Sequence, residues 1–137
     1  MDRRIISDEY TEIGQDLIDK EPELKDLKEA KISIIFLASE DEKKRVGKPV
    51  LGQCEKVSEK YKWGIPCDFT VTVFEPNVED FTDEQIRIVL FHELLHIGFN
   101  EKSGVPYIRP HDLEDYKAII DRYGTHWAEI KDQEEVK

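Results

Sequence analysis

The stretch FTDEQIRIVLFHELLHIG, from Phe81 to Gly98, constrains this chain more than any other. Thr82, followed three residues later by Gln85, forms a capping box, and Phe81 can staple onto Ile86, so a helix begins here. Beyond the cap, Ile86, Ile88, Val89, Leu90, Phe91, Leu94, Leu95 and Ile97 leave hardly any polar face. A helix that is apolar all round must lie inside the molecule, with other elements packed about it. Gly98 is the expected C′ terminator. Three ionisable side chains, His92, Glu93 and His96, interrupt this apolar surface. Burying them costs on the order of several kcal/mol unless each is paired or bound to a cation.

What surrounds that helix is read from periodicity. Residues 7–28 carry Tyr10, Ile13 and Leu17 at the spacing of one helical face, and Pro22 ends or restarts that helix. Residues 32–38 are short, β-branched and apolar, a strand with at least one buried face. The charged stretch 39–48 reads as a loop, and 50–57 as a weaker strand interrupted by Gly52. Residues 68–74 alternate cleanly, with Phe69, Val71 and Val73 on one side, between Pro66 and Pro76. A last helix is expected over 112–123, closed by Gly124, and the charged tail 128–137 reads as frayed. The order α-β-β-β-α-α is an α+β layout. At 137 residues and 39% hydrophobic, the chain fits one domain, 1–137, able to bury a core without staples.

The three polar groups on the apolar helix have the spacing HExxH. Residues i and i+4 of a helix project from one face, so His92 and His96 can reach a single ion at about 2.0–2.1 Å. Glu93, about 100° round the helix, lies beside that ion, where a general base for metal-activated water belongs. Alone, the string recurs by chance; the capping box, the apolar helix and the alternating strand before it raise its weight. A zinc site of this kind needs a third protein ligand. His111, Glu114, Asp115 and His126 are the candidates, and spacing ranks His111 ahead of Glu114.

HELLHIGF, followed by His111-Asp112-Leu113-Glu114-Asp115-Tyr116 and by Tyr123-Gly124-Thr125-His126-Trp127, resembles the putative phage metallopeptidases, small zincin-like proteins of phages and prokaryotes. With the strand 68–74 the resemblance spans about residues 32–127. It implies a minimal zincin-like fold: a small mixed sheet packed on an N-terminal helix and the HExxH helix, plus a C-terminal helix. It also implies one Zn2+ held by His92, His96 and His111, with Glu93 catalytic and a peptide or protein as substrate. Asp112, Asp115, Tyr123 and His126 are then candidates for orienting ligands or meeting substrate, though Asp112 reads better as the cap of the last helix. Tyr107 and Arg109 join Tyr123 and His126 as possible oxyanion donors. The strand 68–74, beside the helix, offers an edge on which an extended peptide could pair.

Two other functions compete. HELLHIGF is also similar to the HGxLHLxGYDH segment of single-strand-specific endoribonucleases. Glu93 replaces its Gly, however, and Asn100 and Glu101 stand where the later His is needed. A net charge of −11 and a pI near 4.8 also oppose nucleic acid and anionic membrane as partners. The other alternative is a non-catalytic zinc-binding regulatory or interaction domain. No apolar run approaches the roughly 18–20 residues of a membrane span, and MDRRIISDEY lacks the apolar stretch of a secretory signal. The expected location is therefore the cytoplasm. Cys54 and Cys67 read as small buried hydrophobes rather than a second metal site. Lys56, Lys60 and Lys62, with Tyr61 and Trp63, read as a solvated basic-aromatic face.

Overall fold

The computed structural model describes residues 3–100, 102–103 and 105–108. In chain order these form β1 (Arg4–Ile6), α1 (Asp8–Lys20), a 3-10 turn, α2 (Lys25–Glu29), β2 (Ile34–Ser39), β3 (Lys44–Arg45), β4 (Lys48–Pro49) and β5 (Gly52–Lys56). A second 3-10 turn leads to β6 (Phe69–Phe74), α3 (Glu75–Val78), α4 (Asp83–Leu95), β7 (Ile97–Phe99) and β8 (Pro106–Ile108). The class is α+β. The helix expected over 112–123 lies outside the described residues.

The four-stranded sheet has the order β1-β2-β6-β5 and is mixed: β2 and β6 are parallel, β1 and β5 antiparallel to their neighbours. The alternation over 68–74 does mark a strand, and Phe69, Val71 and Val73 are fully buried. Its other face is closed as well, because Arg4 and Lys43 lie over the Phe74 ring and Arg4 donates to the Thr72 hydroxyl. The expectation that this strand offers a free edge is corrected. Partners on both sides make β6 internal, and among the described residues the edge strand on the α4 side is β5.

α1 begins where Ser7 accepts from the Tyr10 N–H, and it buries Tyr10, Gly14, Leu17 and Ile18. A Cβ on Gly14 would lie only 2.2 Å from the Phe36 ring, so a bare backbone here lets α1 settle onto β2. α4 has the capping box read from its sequence: Thr82 N–H donates to Gln85 Oε1 (2.9 Å) and Gln85 N–H to Thr82 Oγ1 (3.2 Å). Ile86, Ile88, Val89, Leu90, Phe91, Leu94 and Leu95 are all buried. The helix therefore lies beside α1, where Arg87 pairs with Asp16 at 2.8 Å, and packs on β5 and β6 of the sheet.

Two local expectations fail. Gly98 is no C′ terminator: α4 stops at Leu95, and the chain runs directly into β7, where Gly98 pairs with Tyr107 of β8. Asn100 fixes the intervening turn by accepting from the Lys102 and Ser103 N–H groups. The stretch 39–48 is not wholly loop, since β3 and β4 close a hairpin through Val46 and Gly47, both at positive φ. β1 went unanticipated because three residues carry no period.

Candidate metal centre

His92, Glu93 and His96 each offer a ligand atom, and these atoms lie within 4.8 Å of one another. Helical geometry accounts for the pair of imidazoles, whose ring centroids are 5.0 Å apart and nearly perpendicular. Glu93 and His96 are buried, and His92 is half-buried. Two nitrogens bound to one zinc ion in tetrahedral geometry stand roughly 3.3 Å apart, a spacing that lies within this cluster's bounds. Two imidazoles and a neighbouring carboxylate are a donor set suited to a divalent cation.

β5 supplies the floor under Glu93. A Cβ on Gly52 would meet Glu93 Cγ at 3.1 Å, Val89 Cγ1 at 3.2 Å and the Thr72 carbonyl oxygen at 3.2 Å. Gly52, which in sequence only weakened a strand, is thus the residue whose missing side chain lets the Glu93 stem lie against the sheet. Cys54, two residues on, lies on the same side of β5. Burial, then the charges of Glu93 and Glu55, push its thiol well above the ordinary range, so it stays neutral. Among the described residues neither Cys54 nor Cys67 joins the His92–Glu93–His96 group, and both are free thiols.

The third-ligand candidates His111, Glu114, Asp115 and His126 lie outside the described residues, as do Asp112 and Tyr123. Of the possible oxyanion donors only Tyr107 is described. It is part-exposed on β8 and 43% accessible. In the basic-aromatic stretch, Lys62 is held by Glu59 and Asp68, and Lys60 lies over the Tyr61 ring. Two of its cations are therefore occupied locally. No helix among the described residues is long and apolar enough to cross a membrane.

No curated protein and no solved structure matches the chain. The family model described as putative phage metallopeptidase matches residues 2–135. With nearly its whole length so matched, and with a His-Glu-His group able to hold a metal, the chain belongs to the putative phage metallopeptidase family.

Proposed function

We propose that the protein is a zinc-dependent metallopeptidase, a single zincin-like domain over 1–137 acting on peptide or protein substrates in the cytoplasm. The observation that carries the reading is the convergence of His92, Glu93 and His96 on a buried helix packed against β5, the edge strand among the described residues. In this reading His92 and His96 hold the ion and His111 completes the set. Zinc, when bound, supplies Lewis acidity that brings a coordinated water to a pKa of about 7. Glu93 accepts the proton from the attacking water and passes it to the departing amine. A substrate in extended form would pair along the outer edge of β5, its backbone N–H and C=O groups meeting those of that strand. Asp115 would orient a ligand imidazole, and Tyr123 or His126 would meet the developing oxyanion or the substrate.

The test has two parts. Metal content by mass spectrometry should be about one zinc per chain, lost or weakened in His111→Ala and in His92→Ala. Cleavage of a proteome-derived peptide pool should occur with the wild type and vanish in Glu93→Gln, which retains its zinc. Zinc without cleavage would assign the protein to non-catalytic zinc-binding domains. Full zinc retention in His111→Ala would transfer the third ligand to Glu114 or His126.

A further inference from the structure

The chain carries −11 overall, yet Lys43, Lys44, Arg45 and Lys48 are gathered in one short segment, and that segment is the β3–β4 hairpin. Its shape is fixed. Val46 at φ 53 and Gly47 at φ 75 give the left-handed pair typical of a tight type I′ connection. The base is clamped by Asn77, whose Nδ2 donates to both the Lys43 carbonyl (2.9 Å) and the Val50 carbonyl (2.8 Å). Lys43 is spent on this anchorage, donating to Gln53 Oε1 at 2.7 Å and lying over the Phe74 ring. The other three cations are not. Lys44, Arg45 and Lys48 are exposed, and none is ion-paired among the described residues. Glu40, Asp41 and Glu42 lie on the approach and leave the outer end of the hairpin wholly cationic.

The tip adds a second feature. Val46 is 94% exposed, a β-branched residue in a left-handed conformation that such residues rarely adopt. Folding gains nothing from an apolar side chain in solvent at a strained position. A partner that covers it would.

Resting on the peptidase reading above, we infer that this hairpin recognises the substrate: it binds an acidic polypeptide segment carrying an apolar residue. Lys44, Arg45 and Lys48 meet the carboxylates and Val46 the apolar side chain. The hairpin leaves the sheet at the Gly52 end of β5, where that backbone touches Glu93. Val46 is six residues from Gly52, at most about 20 Å of extended chain. A substrate lying along β5 therefore presents its acidic block within about six residues of the part that lies beside Glu93. Nucleic acid is the less suited anion. Its duplex carries a charge every ~1.7 Å, which a −11 chain repels along its whole length, whereas separated carboxylates engage the hairpin alone.

The experiment uses the full chain carrying Glu93→Gln, so that any peptide stays intact. Fluorescence anisotropy reads binding of a labelled synthetic peptide with a Glu-Glu-Leu-Glu-Glu block. The peptide should bind, more weakly as salt is raised, and K44E/R45E/K48E should weaken it about tenfold or more. K25E/K31E, at and just after α2 and away from β5, should leave binding unchanged, and V46S should weaken it a few-fold. Because all of these positions are exposed, melting curves should match the parent. No binding by the parent, or equal binding by the triple variant, would overturn the inference. So would preferential binding of a DNA duplex that the triple variant loses, which would assign the hairpin to nucleic acid. Hairpin-dependent binding of a peptide that the Glu93 protein never cleaves would sink the hydrolytic reading and leave the acidic-peptide site standing.

Discussion

Gly52 joins two elements that no local rule connects. Its Cα faces the Glu93 stem and the Thr72 carbonyl, and the carbonyl is held in the sheet and cannot yield. In Gly52→Ala the new methyl must therefore displace Glu93 and Val89 by a few tenths of an ångström. Overpacking of that size costs about 1 kcal/mol of stability. The larger effect falls on catalysis, since a displacement near 1 Å costs about a hundredfold. On the proposed mechanism kcat falls roughly tenfold, while zinc content, set by His92 and His96, is unchanged. Steady-state kinetics beside metal analysis check this, and an unaltered kcat would separate Gly52 from the site. The residues of HExxH were legible because i and i+4 are neighbours on any helix. Gly52 was not, because its role depends on a strand brought against that helix by tertiary packing.

Among the elements, the start of β6 is held by more than strand pairing. Asp68 accepts from the Ser33 N–H (2.9 Å), at the entry to β2, and from Lys62 (3.1 Å), which ties the preceding loop to the sheet. The Ser33 bond, the largest influence, holds its carboxyl below the ordinary Asp range; burial opposes it, and Lys62 adds to the lowering. A folded-state pKa below the unfolded one means stability that is fully present above about pH 4. It is lost as the pH falls through the lower, folded-state value. Asp68→Asn should accordingly be less stable than wild type at neutral pH, with the two urea midpoints converging in acid. A constant gap down to acid pH would show that Asp68 acts by shape and not by charge. The strong elements here were readable in advance, β6 from its alternation and α4 from its cap and unbroken apolar surface. β1, β7 and β8 were not, since three residues held mainly by pairing show no periodicity.

Across the whole molecule, an ion at the His92–Glu93–His96 group would be a stabilising ligand for a strongly anionic chain. Because the ligand pair forms only on the intact helix, zinc should bind the folded state in preference to the unfolded one. At a hundredfold excess over Kd that adds about 2.7 kcal/mol, roughly 10 °C in melting temperature for a chain of this size. Calorimetry with and without a chelator measures it. The rise should be reversed by chelation and absent in His92→Ala and His96→Ala. An equal rise in those variants would locate the ion elsewhere.

The chain's own order of residues was enough to specify that α4 is a core helix, that it starts at Thr82, and that His92 and His96 share one face with Glu93 beside them. Each of these follows from interactions within a turn or two of the residue concerned, which no distant partner can rewrite. The identity of the edge strand, the glycine beneath Glu93, the hairpin clamped by Asn77 and the passage of Gly98 into β7 came from the assembled fold. They depend on contacts between residues far apart in the chain, whose geometry exists only once the sheet is paired and α4 is packed upon it. Short-range periodicity carries no record of such contacts. Gly98 illustrates the limit: a glycine after a helix is usually a terminator, but the pairing of β7 with β8 kept this one in an extended strand.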